Sequence, residues 1–434
     1  MKKRLTRTLV PIAAVLTAVG LTACGGTSSG TNGGGGGTGP VADPKETVTI
    51  SFASWVGSSN EMKKLKADFE KAHPTIKIEL RDVPAESMGQ TLTTQIAGNN
   101  PPDVAYIDAS SVAAFASRGA LTNLDNYISR SDVIKPDDYV DVFKTFASYD
   151  NSMYALPIDG ESTGLFYRTD LFEAAGIAGP PTTWDEFEAD AKKLTDPANK
   201  QYGLAMFAPE SAYYWYPFLW QNGGDVLDTD GKPVFDSPKA QEAAEYYVGL
   251  TKYAAPDYLN SNSYDGRLGF FQGQMGMYIA GSWFAGVLKE EAPDIEGKWA
   301  TAPLPEGPAG CATTVASDSL VLFDHSKNND AGWKWIEYLS QPENMATLTY
   351  TAPNSTLLPT TKTLLESPDL EKVKPQLKGF ADAMQCGISN VQTSEVWPQM
   401  EEALNNQLGA AMYGDISVQE ALANAKAEAE KLLK

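Results

Sequence analysis

The chain has 434 residues, 42% of them hydrophobic and 21% charged, with 34 basic against 55 acidic residues and a net charge of −21. That length suits two or three domains, each able to bury a core of its own. So acidic a surface argues against nucleic acid and anionic lipid head groups as partners, because both would repel it.

The first residues read as a leader. Lys2, Lys3, Arg4 and Arg7 make a basic region, residues 9–19 an apolar one, and Leu21, Thr22, Ala23 and Cys24 follow. The apolar run is too short to span a bilayer comfortably. The tetrapeptide looks like a bacterial lipobox, which implies a signal peptide of residues 1–23, cleavage before Cys24 and acylation of that cysteine. Removing the leader takes away four basic residues and no acid, leaving 30 against 55 and a net charge of −25. Residues 25–46, rich in Gly, Ser and Thr, are expected to form a flexible leash with a reach of about 25 Å.

Residues 47–53 alternate as a strand, 59–72 read as an amphipathic helix, and 75–83 as a second strand. A helix over 86–97 and a third strand over 103–107 complete a βαβ start. That pattern predicts a parallel sheet with right-handed crossovers, whose ligands bind beyond the strand C-termini. Residues 54–60 and 108–111 occupy those positions.

Residues 153–194 carry the chain from one half of the molecule into the other. Runs of strand type at 154–158 and 165–167 flank a polar turn at 159–164. Thr169 is expected to cap a short helix ended by Gly176, and Thr183 with Glu186 forms a capping box for a helix through Leu194. Between Tyr213 and Trp220, seven of eight side chains are large and apolar. On a helix, Tyr213, Tyr216 and Trp220 share one side and Tyr214, Trp215 and Phe218 another, so some of these rings should be free to line a cleft. Ser237 and Pro238 open a helix to residue 253; residues 275–279 form a strand, and Ser282 caps the segment behind it. After a strand over 299–304, the Pro- and Gly-rich residues 305–310 return the chain to the first half. A strand over 320–323, a helix over 331–339 with Trp333 and Trp335 on different faces, and a third joint at 353–359 come next. Helices alone make up the rest, over 370–384 and 395–412, with a last one capped by Ser417 and Glu420.

Gly160, Glu161, Ser162, Thr163 and Gly164 spell the pattern of a hydrolase nucleophile elbow, with His325 downstream. An elbow needs a helix behind its serine, whereas residues 165–167 read as strand, and residues 26–30 match the same pattern inside the leash. His73 and His325 have no metal partner at useful spacing, and no phosphate-binding or dinucleotide fingerprint occurs. No metal or cofactor is expected. Cys311 and Cys386 in an exported chain suit a disulfide, with two buried thiols as the alternative.

The order of these elements, with Pro102, Asp103 and Val104, Gly119 to Leu124, Trp184 to Phe187 and Gly273 to Trp283, resembles the extracellular solute-binding proteins of bacterial ABC importers, of the maltose-binding type, over residues 47–434. The resemblance implies an α/β fold of two lobes, residues 47–159 with 305–353 and residues 160–304 with 354–434, joined by three hinge crossings around a central ligand cleft. It implies a monomer, tethered by lipid on Cys24, that captures an oligosaccharide and hands it to a membrane permease without bond chemistry. Sugars offer C–H faces to aromatic rings and hydroxyls to fixed polar groups. By position the resemblance assigns Trp55, Ser58, Asn60, Asp108 and Glu161 to ligand binding, with Tyr213, Trp215, Trp283 and Trp397 on the other lobe and Asn354 in the third joint. Ser317 and Asp318 stand where such proteins often have paired glycines, and are expected to add polar contacts. The two cysteines are not general to the family; bonded, they would join the lobes near the hinge side and restrict opening. The same fold with a peptide or polyamine as cargo, or a secreted carbohydrate-active hydrolase, is the alternative.

Overall fold

In the computed structural model the described residues are 39–255, 266–353, 355–389 and 396–433. The leader, Cys24 and Asn354 lie outside them. Strand β1 (Val48–Ser54) is followed by helix α1 (Asn60–Ala72), opened by the Ser59 hydroxyl accepting the Met62 N–H at 3.1 Å. Met62, Leu65 and Phe69 form its inward stripe. Strands β2 (Ile76–Asp82) and β3 (Val104–Asp108), separated by α2 (Ala85–Ala97), both pair parallel with β1. This is the expected βαβ start.

The crossing differs from its expected form. Residues 155–168 are one 14-residue strand, β4 (Ala155–Arg168), without a turn at 159–164. Its two glycines of the supposed turn are there for space: a Cβ on Gly160 would stand 2.8 Å from the Phe143 ring, and one on Gly164 2.5 Å from that of Phe380. Ladder partners along the whole length then outweigh local turn propensity.

Helix α3 (Trp184–Leu194) begins at Thr183, whose hydroxyl accepts from the Glu186 N–H; the Glu186 carboxylate reaches back to Thr182 rather than to Thr183. Thr169 does not cap the short helix it begins. Strand β5 (Tyr202–Leu204), α4 (Ser211–Gln221) and α5 (Pro238–Gly249), capped by Ser237, come next. After β6 (Met275–Gly281), Trp283 rather than Ser282 occupies the cap position of α6 (Phe284–Glu291). Strands β7 (Trp299–Ala302) and β8 (Thr313–Leu322) lead to α7 (Asn329–Leu339) and α8 (Lys378–Ala383). The tail is not purely helical as expected: a two-residue strand, β9 (Gly387–Ile388), precedes α9 (Trp397–Tyr413) and α10 (Val418–Leu432), the latter capped by Ser417.

The sheet runs β2-β1-β3-β8-β4-β6-β5, with β9 on β8 and β7 on β4. β8 lies antiparallel between β3 and β4, while the second half of β4 pairs with β6 and β7. The long strands β4 and β8 therefore run through both lobes, as paired hinge segments. In the first lobe Trp335 packs on Phe52 and Phe69, and Trp333 stacks on Tyr127 at 5.2 Å, so both indoles are buried from different faces of α7. The second lobe centres on α4, held between α5 and α9. A further cluster, including Phe143, Phe166, Phe284, Leu358 and Phe380, packs beneath the crossings.

The expected leash is too long at its C-terminal end. Val41 is buried in the first-lobe core, the Gly39 carbonyl accepts from Arg130, and Asp43 meets His73 at 2.9 Å. Residues 39–46 thus belong to the body, with His73 as one of their partners.

Cys311 and Cys386 are bonded, with Cα atoms 6.0 Å apart. The bond does not join the lobes. Next to Cys311, the Ala312 carbonyl accepts from Gln221 of α4 and the Thr313 hydroxyl donates to Thr163, while Cys386 follows α8, which packs on β4 and β7. Both ends sit on the second lobe. Among the described residues no helix is long and apolar enough to cross a membrane.

Candidate functional site

Three acids line up across the hinge strands. Asp318 of β8 is directly opposite Asp108 of β3 on one side and Asp159 of β4 on the other. A register shift between Asp318 and Ser319 absorbs one extra residue of β4 there. Glu161, two residues along β4 from Asp159, points to the same face by strand alternation. Tyr106, two residues before Asp108 on β3, donates its hydroxyl to Asp318 at 3.1 Å and to Asp159 in a shorter bond.

Crowding sets the ionisation of this row. Burial raises Asp159 well above the ordinary carboxylate range, helped by the charge of Glu161 and opposed by hydrogen bonds from Tyr106 and Asp318. Burial, then the charges of Asp159 and Asp108, raises Asp318. Burial, then Asp108, raises Glu161. Asp159 and Asp318 thus hold a proton between them where two surface aspartates would hold none.

Aromatic rings flank the row. On the first lobe Trp55, just after β1, meets Tyr106 edge to face at 4.7 Å. On the second, Trp283 is 38% exposed, and its ring and the Glu161 carboxylate both approach Gly281: a Cβ there would be 2.6 Å from Trp283 Cδ1 and 3.4 Å from Glu161 Oε2. The half-buried Tyr213 shares a hydrogen bond with Thr163 at 2.9 Å and feels the charge of Glu161.

A cavity of about 620 Å³ opens beside the row, lined by Ser58, Asn60, Tyr106 and Asp159 and walled by Ser355, Thr356 and Leu357. The wall is fastened from the second lobe: Lys374 donates to the carbonyls of Pro353 at 3.0 Å and Ser355 at 2.9 Å, and Lys289 to that of Pro353 at 3.2 Å. Gly160 and Leu358 exchange two 2.8 Å backbone hydrogen bonds, which tie the same segment to the crossing strand. Flat rings beside carboxyl, amide and hydroxyl groups suit a ligand with apolar faces and many hydroxyls.

The structure thus gathers Trp55, Ser58, Asn60, Asp108, Glu161, Tyr213, Trp283 and Asp318 at one place. Three other expected residues are placed elsewhere. Trp215 is fully buried and Trp397 is 4% exposed, both inside the second-lobe core, because α4 is covered on both faces by α5 and α9. Ser317 gives its hydroxyl to the Asp159 carbonyl at 2.8 Å and so braces the crossing. Tyr106 and Asp159 were missed. Alternation along β3 puts Tyr106 on the face of Asp108, a signal the sequence does carry; Asp159 was hidden by its reading as a turn. Ser162, the elbow candidate, lies mid-strand and donates to the Phe380 carbonyl at 2.9 Å. Among the described residues no group of three or more His, Cys, Asp or Glu could hold a metal ion.

The sequence pattern of the bacterial extracellular solute-binding proteins matches residues 53–346. A binding protein of Brucella abortus is 32% identical over 312 residues, covering 69% of this chain and 72% of its own. The maltotriose-binding protein of Pyrococcus abyssi is 25% identical over 79% of this chain and 73% of its own. The solved sugar-binding protein MalE of Xanthomonas citri superposes with a TM-score of 0.80 at 26% identity, over 89% of this chain and 97% of its own.

Proposed function

Since the chain belongs to the bacterial extracellular solute-binding proteins, we propose that it captures an oligosaccharide between its lobes and delivers it to the permease of an ABC importer. The observation that carries this reading is the acid row of the connecting strands, with Trp55 and Tyr106 of one lobe beside Asp159 and Asp318, and Tyr213 and Trp283 of the other beside Glu161. Ser58, Asn60, Asp108 and Asp318 supply further polar contacts. Relatives that bear the names of maltotriose- and sugar-binding proteins support a saccharide as cargo. Ligand binds the closed form better and shifts the population toward it, which lets a permease distinguish loaded from empty receptor.

The lobes comprise residues 47–159 with 305–353 and residues 160–304 with 354–434, except that residues 39–46 join the first and residues 305–314, whose hydrogen bonds run to Thr163, Thr182 and Gln221, join the second. The protein works as a monomer, acylated on Cys24 and held near the membrane by the residues behind it. It is a receptor and not an enzyme: Ser162 is paired and mid-strand, with no helix behind it to form an elbow.

Titration calorimetry of residues 25–434 against oligosaccharides of differing linkage, with peptides and polyamines as controls, tests the reading. Saturable one-to-one heat with a saccharide series is expected, and the bound sugar is recovered intact after long incubation. Silence across the saccharides, or cleavage of the sugar that is lost in Ser162→Ala or Glu161→Gln, overturns it.

A further inference from the structure

Among the described residues the acid row has no lysine or arginine partner. The charged neighbours that bear on Asp159, Glu161 and Asp318 are one another and Asp108, and the lining of the adjacent cavity includes Asp159 and Glu61 but no lysine or arginine. Two acids elsewhere in this protein do have basic partners: Arg168 holds Asp170 at 2.7 Å, and Lys334 stands 3.8 Å from Glu337. Glu161 is a separate observation. Its half-buried side chain stands beside the exposed ring of Trp283, burial raises its carboxyl, and it has no hydrogen-bond donor among the described residues. A partly desolvated carboxyl with no such donor, against an open indole face, is a seat for a cation: the carboxyl supplies the countercharge and the ring its negative face.

We propose that the captured saccharide carries a protonated amine, which docks between Glu161, the Asp159–Asp318 pair and the Trp283 ring. This rests on the saccharide reading above and narrows it to amino sugars. The groups facing the amine are Tyr106, Asp108 and Asp318 from the first lobe, Asp159 and Glu161 from β4, and Tyr213 and Trp283 from the second lobe. A neutral sugar leaves the row as it is, protonated and self-paired. An ammonium group takes the place of a proton there: it forms charge-assisted hydrogen bonds to the carboxylates, and the proton passes to buffer. Binding of an amino sugar is therefore accompanied by proton release, while that of a neutral sugar is not.

The test is calorimetry on residues 25–434 with glucosamine oligomers, their N-acetylated counterparts of equal length and linkage, neutral gluco-oligosaccharides of several linkages, and a linear polyamine. Each is titrated in two buffers of different ionisation enthalpy. The expected result is affinity for the free-amine oligomer about tenfold or more above its acetylated twin, the difference between a charge-assisted and a neutral hydrogen bond. The heat should differ between buffers for the amine alone. In Glu161→Gln, and separately in Asp318→Asn, the ratio of the two affinities falls toward one. A neutral or acetylated saccharide bound as well as or better than the amine, without proton release, overturns the amine and leaves the oligosaccharide receptor standing. Binding of the polyamine with no saccharide bound overturns both, as does heat from none of them.

Discussion

Asp159 and Asp318 stand directly opposite each other on β4 and β8, and one hydroxyl, that of Tyr106, donates to both. Two strands that run through both lobes thus meet at a proton-sharing pair under a donor from a third strand. Replacing Tyr106 by Phe removes the donor and leaves two buried acceptors with each other alone. The expected loss of stability is about 1–3 kcal/mol, read by chemical denaturation. Ligand affinity falls with it, because the pair loses the donor that fixes it at the floor of the cleft; an unchanged affinity would separate the pair from the ligand.

The raised carboxyls fix the sign of a pH effect. Asp159, Glu161 and Asp318 hold protons in the folded state over a range where the unfolded chain, with carboxylates ordinarily near pKa 4, has lost them. The folded state binds more protons there, so stability falls as pH rises. The contribution is fully present below the unfolded values and is lost as pH climbs through the folded ones. Unliganded protein should therefore melt at a higher temperature in mildly acidic than in mildly alkaline buffer. Asp318→Asn should flatten that slope, and a slope that persists in this variant would place its origin elsewhere.

Two tryptophans of the second lobe separate binding from packing. Trp283→Ala removes an exposed ring and should weaken ligand about tenfold, the worth of one aromatic contact of about 1.4 kcal/mol, with little change in melting. Trp215→Ala empties a fully buried site and should cost about 3–5 kcal/mol of stability. Gly281→Ala offers a gentler version of the first change: its Cβ would collide with Trp283 Cδ1 at 2.6 Å and Nε1 at 2.7 Å, so the ring must swing. Reduced affinity with a shifted indole fluorescence is expected.

The Cys311–Cys386 bond spans 75 residues of sequence within one lobe. Its removal in the paired Cys→Ser variant should lower stability by about 4 kcal/mol in the chain-entropy account. Affinity should stay as it was, since neither end lies across the cleft. A changed affinity or a changed degree of opening in solution scattering would mean that the staple reaches the hinge.

Local patterns were enough for much of this protein. The βαβ start and the caps at Thr183, Ser237 and Ser417 each depend on residues close in sequence, whose periodicity and hydrogen bonding are local. Trp55, Ser58, Asn60 and Asp108 were legible for the same reason, as they follow strands of a parallel sheet. What only the tertiary structure decided depended on partners far along the chain. Residues 159–164 look like a turn until β8, β6 and β7 supply a ladder for them. The rings of α4 look free until α5 and α9 close over both faces. The two cysteines look like a clasp between lobes until both are found on one. The acid row itself joins positions 108, 159, 161 and 318 from three strands. A sequence shows that each is an acid; only the packed sheet shows that they share one face, and shared burial is what raises their protonation.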